Sequence, residues 1–582
     1  MRNLLALIFL MLPLALRAEM PDRLNLNGVW SLKSSEHLAE SGEQISVASY
    51  VPSGWMPAPV PGTTLGAYVA NKIFPEPTYD RNNQLGGLIP DISVPGSVFT
   101  FPHWWRTSFT VPAAWWGQTL WLNLDGVNWS AEIFVNGTAA GSMKGAFKRG
   151  IFDITALATT GTNVLAIKII PPVFPGIPKA HGCAGQGGDN NIGRTPATIN
   201  QTVGWDFTFV DGVRDRDTGI YRDVFLTATG PVRIADPFMR TVGVPGESAT
   251  LAFRTWLVNA TDQPQKGTLK LAFEGGNGSV EVELAARESR EITLDHADCS
   301  GLVVKHPRLW WPNGRGKAEL YDLNVSFTIG GKVSDSTITH FGIRSIEHET
   351  DFHGQSTWKV NGKRLFMPGG AWVQDALLRQ SPKRYDAEIR MIAQTGLTWL
   401  RIWSGSGPES DEFFNTCDRY GIMVWVEAGL TTGQTPIPSD KPDYPAFKKC
   451  IFANLTDTVL RLRNHPSVFY WCGSNEGPDI NGMKDIVLAN DGTRDYQPNS
   501  QDFGQAGSIY VYQGIASLYD YTGNGPWFGG PLGIFAGFCN ESSNPNLPNI
   551  ECLREQMPEV KLWPIDEETF KYQDGGGFHN IL

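Results

Sequence analysis

Two glutamates stand directly after an asparagine at the end of an apolar run, and paired carboxylates of this kind can do acid–base chemistry. Asn475-Glu476 follows the run 468–472, and Asn540-Glu541 ends the Gly-rich run that begins at Gly533. Cleavage of a glycosidic bond needs one carboxyl group to protonate the leaving oxygen and another to attack the anomeric carbon or activate water. The ordinary alternative is that each glutamate caps a helix or forms an ion pair.

Further polar and aromatic side chains lie at the ends of neighbouring apolar runs. In a (β/α) barrel, a polar residue just after an apolar strand points into the mouth where ligands bind. An aromatic ring there can stack on the apolar face of a pyranose. We expect about half of the aromatic group to serve packing instead. The residues concerned are Arg401, Glu427, Trp372, Trp403 and Trp425.

The elements that must position these residues are strands alternating with helices after about residue 350. Ser381-Pro382 opens a predicted helix that ends at Gly396, the strand 398–403 follows, and Ser410 begins a helix closed by Gly421. Alternation of this kind predicts a parallel sheet covered by helices. A (β/α) TIM-type barrel is favoured over a doubly wound sheet, because no Gly-rich phosphate loop follows these strands.

Short alternating runs separated by turn residues dominate the chain before residue 350. The run 131–135 closed by Asn136-Gly137 predicts a β-hairpin, and repetition of the pattern over 22–228 indicates a β-sandwich. A second all-β stretch over 229–346 has the length of an immunoglobulin-like sandwich.

Composition and charge exclude several classes of protein. The 582 residues, 41% of them hydrophobic, argue against disorder and predict about three to five domains. The net charge of −11 and the lack of a long basic run argue against nucleic-acid binding. The seven cysteines have no metal-ligand spacing, which argues against a metal site, and we also expect no cofactor.

The first residues read as a secretory signal peptide over 1–18. Met1-Arg2-Asn3 precedes an apolar run over 4–16, which is too short to span a membrane. We therefore expect a secreted or periplasmic protein without a membrane span.

Many ordered segments of the chain resemble glycoside hydrolase family 2. After the predicted signal peptide (1–18), the resemblance implies a sugar-binding jelly-roll domain (19–228), an immunoglobulin-like β-sandwich (229–346) and a catalytic (β/α)8 barrel (347–582). Within the family, the chain is most similar to the branch of exo-β-glucosaminidases, endo-β-mannosidases and β-mannosidases. The segments that carry the resemblance include Leu124–Gly137, Gly219–Val224, Leu309–Gly314, Phe341–Arg344, Met367–Gly370, Arg401–Trp403 and Asn464–Ser467.

The resemblance also implies an activity and assigns roles to the strand-end residues. It implies a retaining β-glycosidase acting on β-mannosyl or β-glucosaminyl oligosaccharides, without a cofactor. Glu476 would be the general acid/base and Glu541 the nucleophile. Asn475 would hydrogen-bond the sugar 2-substituent, and Arg401 would support the nucleophile. Asp375 or Glu427 would bind hydroxyl or amino groups of the sugar ring.

The end of the chain departs from the family pattern. Residues 542–582 follow the seventh predicted strand, and 573–582 read as a loop. We expect the barrel to stop after about the seventh strand, which leaves a non-catalytic carbohydrate-binding chain as the alternative function. Glu551 is a rival nucleophile, but its surroundings predict a helix.

Overall fold

The computed structural model describes residues 23–80, 82, 87–90, 96–171, 199, 217–350, 356–372, 374–375, 377–403, 407–430, 439–474, 480–500 and 550–563. Asn475, Glu476, Glu541 and the predicted signal peptide lie outside these residues. The described part forms two β-sandwiches followed by a parallel sheet covered by helices. None of its helices has the length and apolar character needed to cross a membrane.

The first β-sandwich consists of a four-stranded and a six-stranded antiparallel sheet, with orders β1-β12-β6-β9 and β3-β2-β5-β10-β7-β8 within the described residues. Apolar side chains from both sheets share one core, which includes Trp30, Trp105 and Leu122. Asn136 and Gly137 have positive φ angles of 48° and 82° and turn β7 into β8, which confirms the predicted hairpin. The strands are β1 (Leu24–Asn25), β2 (Gly28–Ser34), β3 (Met56–Val60), β4 (Gly62–Thr63), β5 (His103–Phe109), β6 (Thr119–Leu124), β7 (Ser130–Val135), β8 (Thr138–Lys144), β9 (Gly150–Asp153), β10 (Asn163–Ile170), β11 (Gly219–Ile220) and β12 (Val224–Thr229), with two short helices, α1 (Gly42–Ile45) and α2 (Thr64–Ala70).

The second β-sandwich follows without an α-helix in its described part. One sheet has the order β13-β14-β17, with β18 on β14, and the other has the order β16-β15-β19-β20. Alternate residues of β15 are buried, as the period-two pattern requires of a sheet with one solvated face. The strands are β13 (Val232–Val242), β14 (Ser248–Asn259), β15 (Gln265–Phe273), β16 (Gly276–Leu284), β17 (Ser289–Leu294), β18 (Val303–Lys305), β19 (Tyr321–Ile329) and β20 (Lys332–Phe341).

A small antiparallel sheet leads into the parallel sheet, whose order is β24-β25-β26-β27-β28 in the described residues. Neighbours in this sheet are also neighbours in sequence, and a helix lies between each pair, which is the arrangement of a (β/α) barrel rather than of a doubly wound sheet. The elements are β21 (Ile346–Thr350), β22 (Ser356–Val360), β23 (Lys363–Arg364), β24 (Gly369–Trp372), α3 (Pro382–Gln394), β25 (Trp399–Ile402), α4 (Asp411–Tyr420), β26 (Met423–Leu430), α5 (Tyr444–Leu462), β27 (Val468–Ser474), α6 (Met483–Asn490) and β28 (Tyr496–Asn499).

The helix boundaries follow the local signals in the sequence. The Ser381 side chain accepts a hydrogen bond from the Arg384 N–H and caps α3, which begins at Pro382. Gly421 ends α4 with a φ of 71°, a conformation that glycine adopts without steric cost. A last helix, α7 (Ile550–Gln556), contains Glu551, as predicted.

The two faces of the parallel sheet have different partners. Leu400, Ile402 and Val424 pack in one core with residues of the helices α3, α4 and α5. Trp399 and Trp425, on the alternate positions, pack in another core together with Trp310 and Trp358. Because side chains alternate along a strand, Arg401 and Glu427 lie on the same face as these tryptophans, one step nearer the carboxyl ends of the strands.

Candidate active site

The centre of the candidate site is an ion pair between two neighbouring strands. Arg401 Nε donates to Glu427 Oε1 over 2.5 Å, and the two side chains are only 3% and 0% exposed. Arg401 Nη2 also donates to Ser500 Oγ over 2.8 Å, at the end of β28. The guanidinium therefore connects the second, third and fifth strands of the parallel sheet on its inner face.

The same cluster reaches the strand that leads to Glu476. The Ser500 N–H donates to the Ser474 carbonyl over 3.1 Å, and Ser474 pairs with Asn499 in the register of β27 and β28. Ser474 is the last residue of β27, and Asn475-Glu476 follow it directly in the sequence. The buried arginine is thus tied by hydrogen bonds to the point from which the predicted acid/base residue departs.

The tryptophans predicted at the strand ends have different environments. Trp425 is fully buried, and its ring centroid lies 4.9 Å from that of Tyr470, so it has a packing role and no ring face open to a sugar. Trp403 is 4% exposed, and its backbone N–H donates to the Trp372 carbonyl. Trp372, the last residue of β24, is half-buried. Of the three, Trp372 has the largest exposed fraction.

Asp375 lies in the loop after β24 and is held by neighbouring groups. Its carboxylate accepts from Arg384 Nη1 over 2.7 Å and from the backbone N–H groups of Leu377 and Arg379. Burial works to raise the pKa of Asp375, but these hydrogen bonds and the two guanidinium charges outweigh it and hold the pKa below its usual value. Asp375 therefore organises this loop, and its contact with a sugar stays a prediction.

Glu409, which the sequence analysis did not single out, is a buried carboxylate next to the mouth of the barrel. It accepts from Trp372 Nε1 over 2.7 Å and from the Tyr385 hydroxyl over 2.8 Å. Burial raises the pKa of Glu409, while the donors Trp372 and Tyr385 act in the opposite direction. Its position in the sequence could have indicated it, because Glu409 lies in the loop after the second barrel strand, directly before the helix start at Ser410.

A cavity of about 260 Å³ lies between the first sandwich and the barrel, and Glu409 is part of its wall. Asp125 and Arg222 line it from the first sandwich, and Tyr385 and Arg461 from the barrel. Burial, followed by the charge of the nearby Asp411, raises the pKa of Asp125 to about 7. The domain interface thus holds titratable groups that the strand-end analysis did not predict.

Three family models match consecutive parts of the chain. The model described as "Glycosyl hydrolase 2 galactose-binding domain-like" matches residues 30–222, "Glycosyl hydrolases family 2" matches 232–344, and "Glycosyl hydrolases family 2, TIM barrel domain" matches 387–522. The chain belongs to glycoside hydrolase family 2. The resemblance deduced from the sequence motifs is confirmed, and so is the expected combination of two β-sandwich domains with a TIM-type barrel.

Named members of glycoside hydrolase family 2 align with much of the chain. It is 34% identical to a mannosylglycoprotein endo-β-mannosidase of Lilium longiflorum, over 78% of this chain and 48% of the relative. It is 29% identical to an exo-β-D-glucosaminidase of Streptomyces avermitilis, over 92% of this chain and 56% of the relative. The chain therefore spans about half the length of these relatives.

The fold of glycoside hydrolase family 2 is also evident from solved structures. The exo-chitosanase of Amycolatopsis orientalis superposes with a TM-score of 0.74 at 23% identity, over 93% of this chain and 60% of the other. A β-D-mannosidase of Dictyoglomus thermophilum gives 0.74 at 20% identity, over 96% of this chain and 67% of the other. At these identities the likeness concerns the fold alone.

Proposed function

We propose that this chain carries the catalytic residues of a retaining β-glycosidase that hydrolyses β-mannosyl or β-glucosaminyl oligosaccharides. The observation that supports this best is the buried Arg401–Glu427 pair, tied through Ser500 to the strand end that leads into Asn475-Glu476. Active sites of (β/α) barrels lie at the carboxyl ends of the strands. The endo-β-mannosidase and exo-β-glucosaminidase names of the relatives agree with this choice of substrates.

In the proposed mechanism the two glutamates act in turn. Glu541 attacks the anomeric carbon while Glu476 protonates the leaving oxygen, which gives a covalent glycosyl-enzyme. Glu476 then takes a proton from the water that releases the sugar, so that the product keeps the β configuration. Asn475 binds the 2-substituent of the sugar. The positive charge of Arg401 favours the ionised form of the nucleophile Glu541.

Substitution of the two glutamates tests these roles. Glu476→Gln and Glu541→Gln should each lower kcat on an aryl β-mannoside or aryl β-glucosaminide by about a thousandfold or more, because each removes a group that forms or breaks a bond. Glu551→Gln is the matched control, since Glu551 is an exposed residue of α7. Unchanged turnover in either of the first two variants, with circular dichroism like the parent, would refute the role of that residue.

The stereochemistry of the first product tests the mechanism independently. Proton NMR during the first minutes of hydrolysis should show the β-anomer, which mutarotation later converts to the mixture. A retaining mechanism also requires the carboxyl groups of Glu476 and Glu541 to lie about 5–5.5 Å apart. Initial release of the α-anomer would indicate inversion and contradict the proposal.

A chain that binds sugars without cleaving them is the alternative outcome. Calorimetric binding of mannose or glucosamine, with no product from any aryl β-glycoside, would favour a carbohydrate-binding role.

We also propose that residues 1–18 direct export to the periplasm or the medium. Amino-terminal sequencing of the exported protein should then begin after residue 18, and an intact Met1 would contradict it.

A further inference from the structure

The buried carboxylate of Glu409 hydrogen-bonds Trp372, a half-buried tryptophan at the end of β24 that the sequence analysis predicted to stack on a sugar. Glu409 is 2% exposed, and its oxygens accept from two aromatic side chains, Oε1 from Trp372 Nε1 and Oε2 from the Tyr385 hydroxyl. Gln374 also hydrogen-bonds this carboxylate. The Tyr385 hydroxyl keeps its proton in this role, because burial and the charge of Glu409 raise its pKa. The indole N–H of Trp372 can only donate. The plane of the carboxylate therefore determines the direction of the indole N–H.

Packing restricts the same indole from another side. The ring centroid of Trp372 lies 4.9 Å from that of Phe413, at an interplanar angle of 48°. Phe413 belongs to α4 and is itself fully buried. One hydrogen bond and one ring contact thus set both the position and the tilt of the indole, and the rest of the ring lies at the carboxyl end of β24.

The backbone that carries Glu409 is held by two arginines from different domains. Arg222 of the first sandwich donates to the carbonyls of Pro408 and Glu409, and Arg461 of α5 donates to the Glu409 carbonyl over 2.9 Å. Arg222 and Arg461 are 6% and 9% exposed, so these contacts lie in the domain interface. The first sandwich therefore contributes to the placement of a residue at the mouth of the barrel.

A buried carboxylate at position 409 lowers stability if the side chain there serves only to fill space. Transfer of a charge into the interior carries a desolvation penalty, and apolar residues of similar volume often stabilise a protein more. What a carboxylate supplies, and an apolar side chain does not, is two acceptors in one plane that orient two donors at once. This argues that Glu409 serves the orientation of its donors rather than stability.

We propose that Glu409 is a positioning residue, which fixes the indole of Trp372 so that its exposed part receives the apolar face of the substrate sugar. The inference rests on the proposed function and identifies which side chains prepare the sugar site. It assigns to Arg222 a supporting role from the first sandwich. Glu409 itself does not touch the reacting atoms.

Kinetics of the full chain with an aryl β-glycoside test the proposal. Glu409→Leu removes both acceptors and should raise KM about tenfold with kcat within about twofold of the parent. The reason is that a displaced Trp372 ring weakens sugar binding more than it slows bond cleavage. Glu409→Gln keeps an acceptor for Trp372 and a partner for Tyr385, and should return KM to within about threefold. Glu412→Leu is the matched control, since Glu412 pairs with Arg419 at the surface. Equal KM values in Glu409→Leu and the parent would overturn the proposal.

A double-substitution experiment keeps the test valid if Glu409→Leu folds poorly. Trp372→Phe retains a ring and removes the N–H that Glu409 orients, so it should itself raise KM. In that background Glu409→Gln should change KM less than its effect of up to about threefold in the parent, and an equal effect in both backgrounds would contradict the proposal. Calorimetry with mannose and glucosamine separates this proposal from the catalytic one. Sugar affinity that falls in Glu409→Leu, in a chain without turnover, would refute the catalytic function and support the positioning role. Sugar affinity equal to that of the parent would refute the positioning role.

Discussion

Arg401 and Glu427 form a buried ion pair across two neighbouring parallel strands, with the arginine also bound to Ser500. Two residues earlier on each strand, the same face carries Trp399 and Trp425. The inner face of the sheet thus changes from an aromatic core to a charged cluster at the carboxyl ends of the strands. Water and substrate have access to barrels at that end, and the change in polarity marks the candidate site.

Loss of either partner of this pair should destabilise the barrel. Arg401→Met or Glu427→Leu leaves an uncompensated buried charge, and we expect a loss of about 3–5 kcal/mol in the free energy of unfolding. The double variant should lose less than the sum of the two. Urea denaturation followed by tryptophan fluorescence measures this. Strictly additive losses would contradict a direct interaction, and Glu412→Gln, in an exposed pair with Arg419, should change stability by less than about 0.5 kcal/mol.

Trp425 and Trp372 should respond to substitution in opposite ways. Trp425→Leu leaves a cavity in a fully buried core and should cost about 3 kcal/mol of stability. Trp372→Leu, at a half-buried position, should mainly raise KM for an aryl β-glycoside, since it removes the proposed stacking face. Thermal melting and steady-state kinetics on both variants check this. A large KM effect in Trp425→Leu without loss of stability would contradict the packing role.

Asp125 should make stability depend on pH. Its pKa of about 7 in the folded protein lies above the 3.8 of an exposed aspartate, because burial and the charge of Asp411 disfavour ionisation. Its contribution to stability is thus complete below about pH 4 and is lost as the pH rises through 7. The difference in pKa corresponds to about 4 kcal/mol, and we expect about half of this because the carboxyl is partly accessible.

Asp125→Asn should therefore be more stable than the parent at pH 8 and equally stable at pH 4. Chemical denaturation at a series of pH values measures this difference. Asp440→Asn, at an exposed position, provides the control and should give a curve parallel to that of the parent. If the parent and Asp125→Asn gave parallel curves of stability against pH, Asp125 would not titrate between pH 4 and 8.

Arg149 joins all three domains. Extending from the first sandwich, it pairs with Asp457 of α5 and with Asp236 of the second sandwich, each over 2.8 Å. Asp457→Asn removes one partner of a largely buried guanidinium and should cost about 2–3 kcal/mol. Limited trypsin digestion should also become faster at the domain junctions, because the domains separate more readily.

The exposed pair of Arg287 and Asp262 is the control for this effect. Asp262→Asn should change neither melting nor digestion appreciably, because an exposed ion pair contributes about 0–1 kcal/mol. Equal digestion rates for Asp457→Asn and Asp262→Asn would show that Arg149 does not hold the domains together.

Local patterns were sufficient for much of the fold. Period-two alternation and the Asn136-Gly137 pair predicted strands and a hairpin, because both depend on neighbours in sequence. Ser381-Pro382 and Gly421 predicted helix limits for the same reason. Arg401 and Glu427 could be named as site candidates, since polar residues that follow apolar residues in a parallel strand lie towards the ligand-binding end of a barrel. The sequence placed Glu427 just after its strand, but β26 continues to Leu430.

The sequence could not assign environments that depend on contacts between distant segments. Trp425 and Trp372 have the same residue type and both lie in strands of the parallel sheet, yet one packs on Tyr470 in the core and the other hydrogen-bonds Glu409. The predicted contact of Asp375 with a sugar stays a prediction, and the sequence did not show that its carboxylate accepts from Arg384 at the start of α3. These differences arise from the packing of helices and domains, which no local pattern records.

By itself the sequence determined the order of the domains, the alternation of strands and helices in the barrel, and the residues at the strand ends. These follow from periodicity, turn chemistry and family motifs, all of which are properties of short segments. Only the tertiary structure decided that Arg401 meets Glu427 and Ser500, that Glu409 holds Trp372, and that Arg149 joins three domains. Each of these contacts joins residues from different elements, and its energy depends on burial that arises only when those elements pack together.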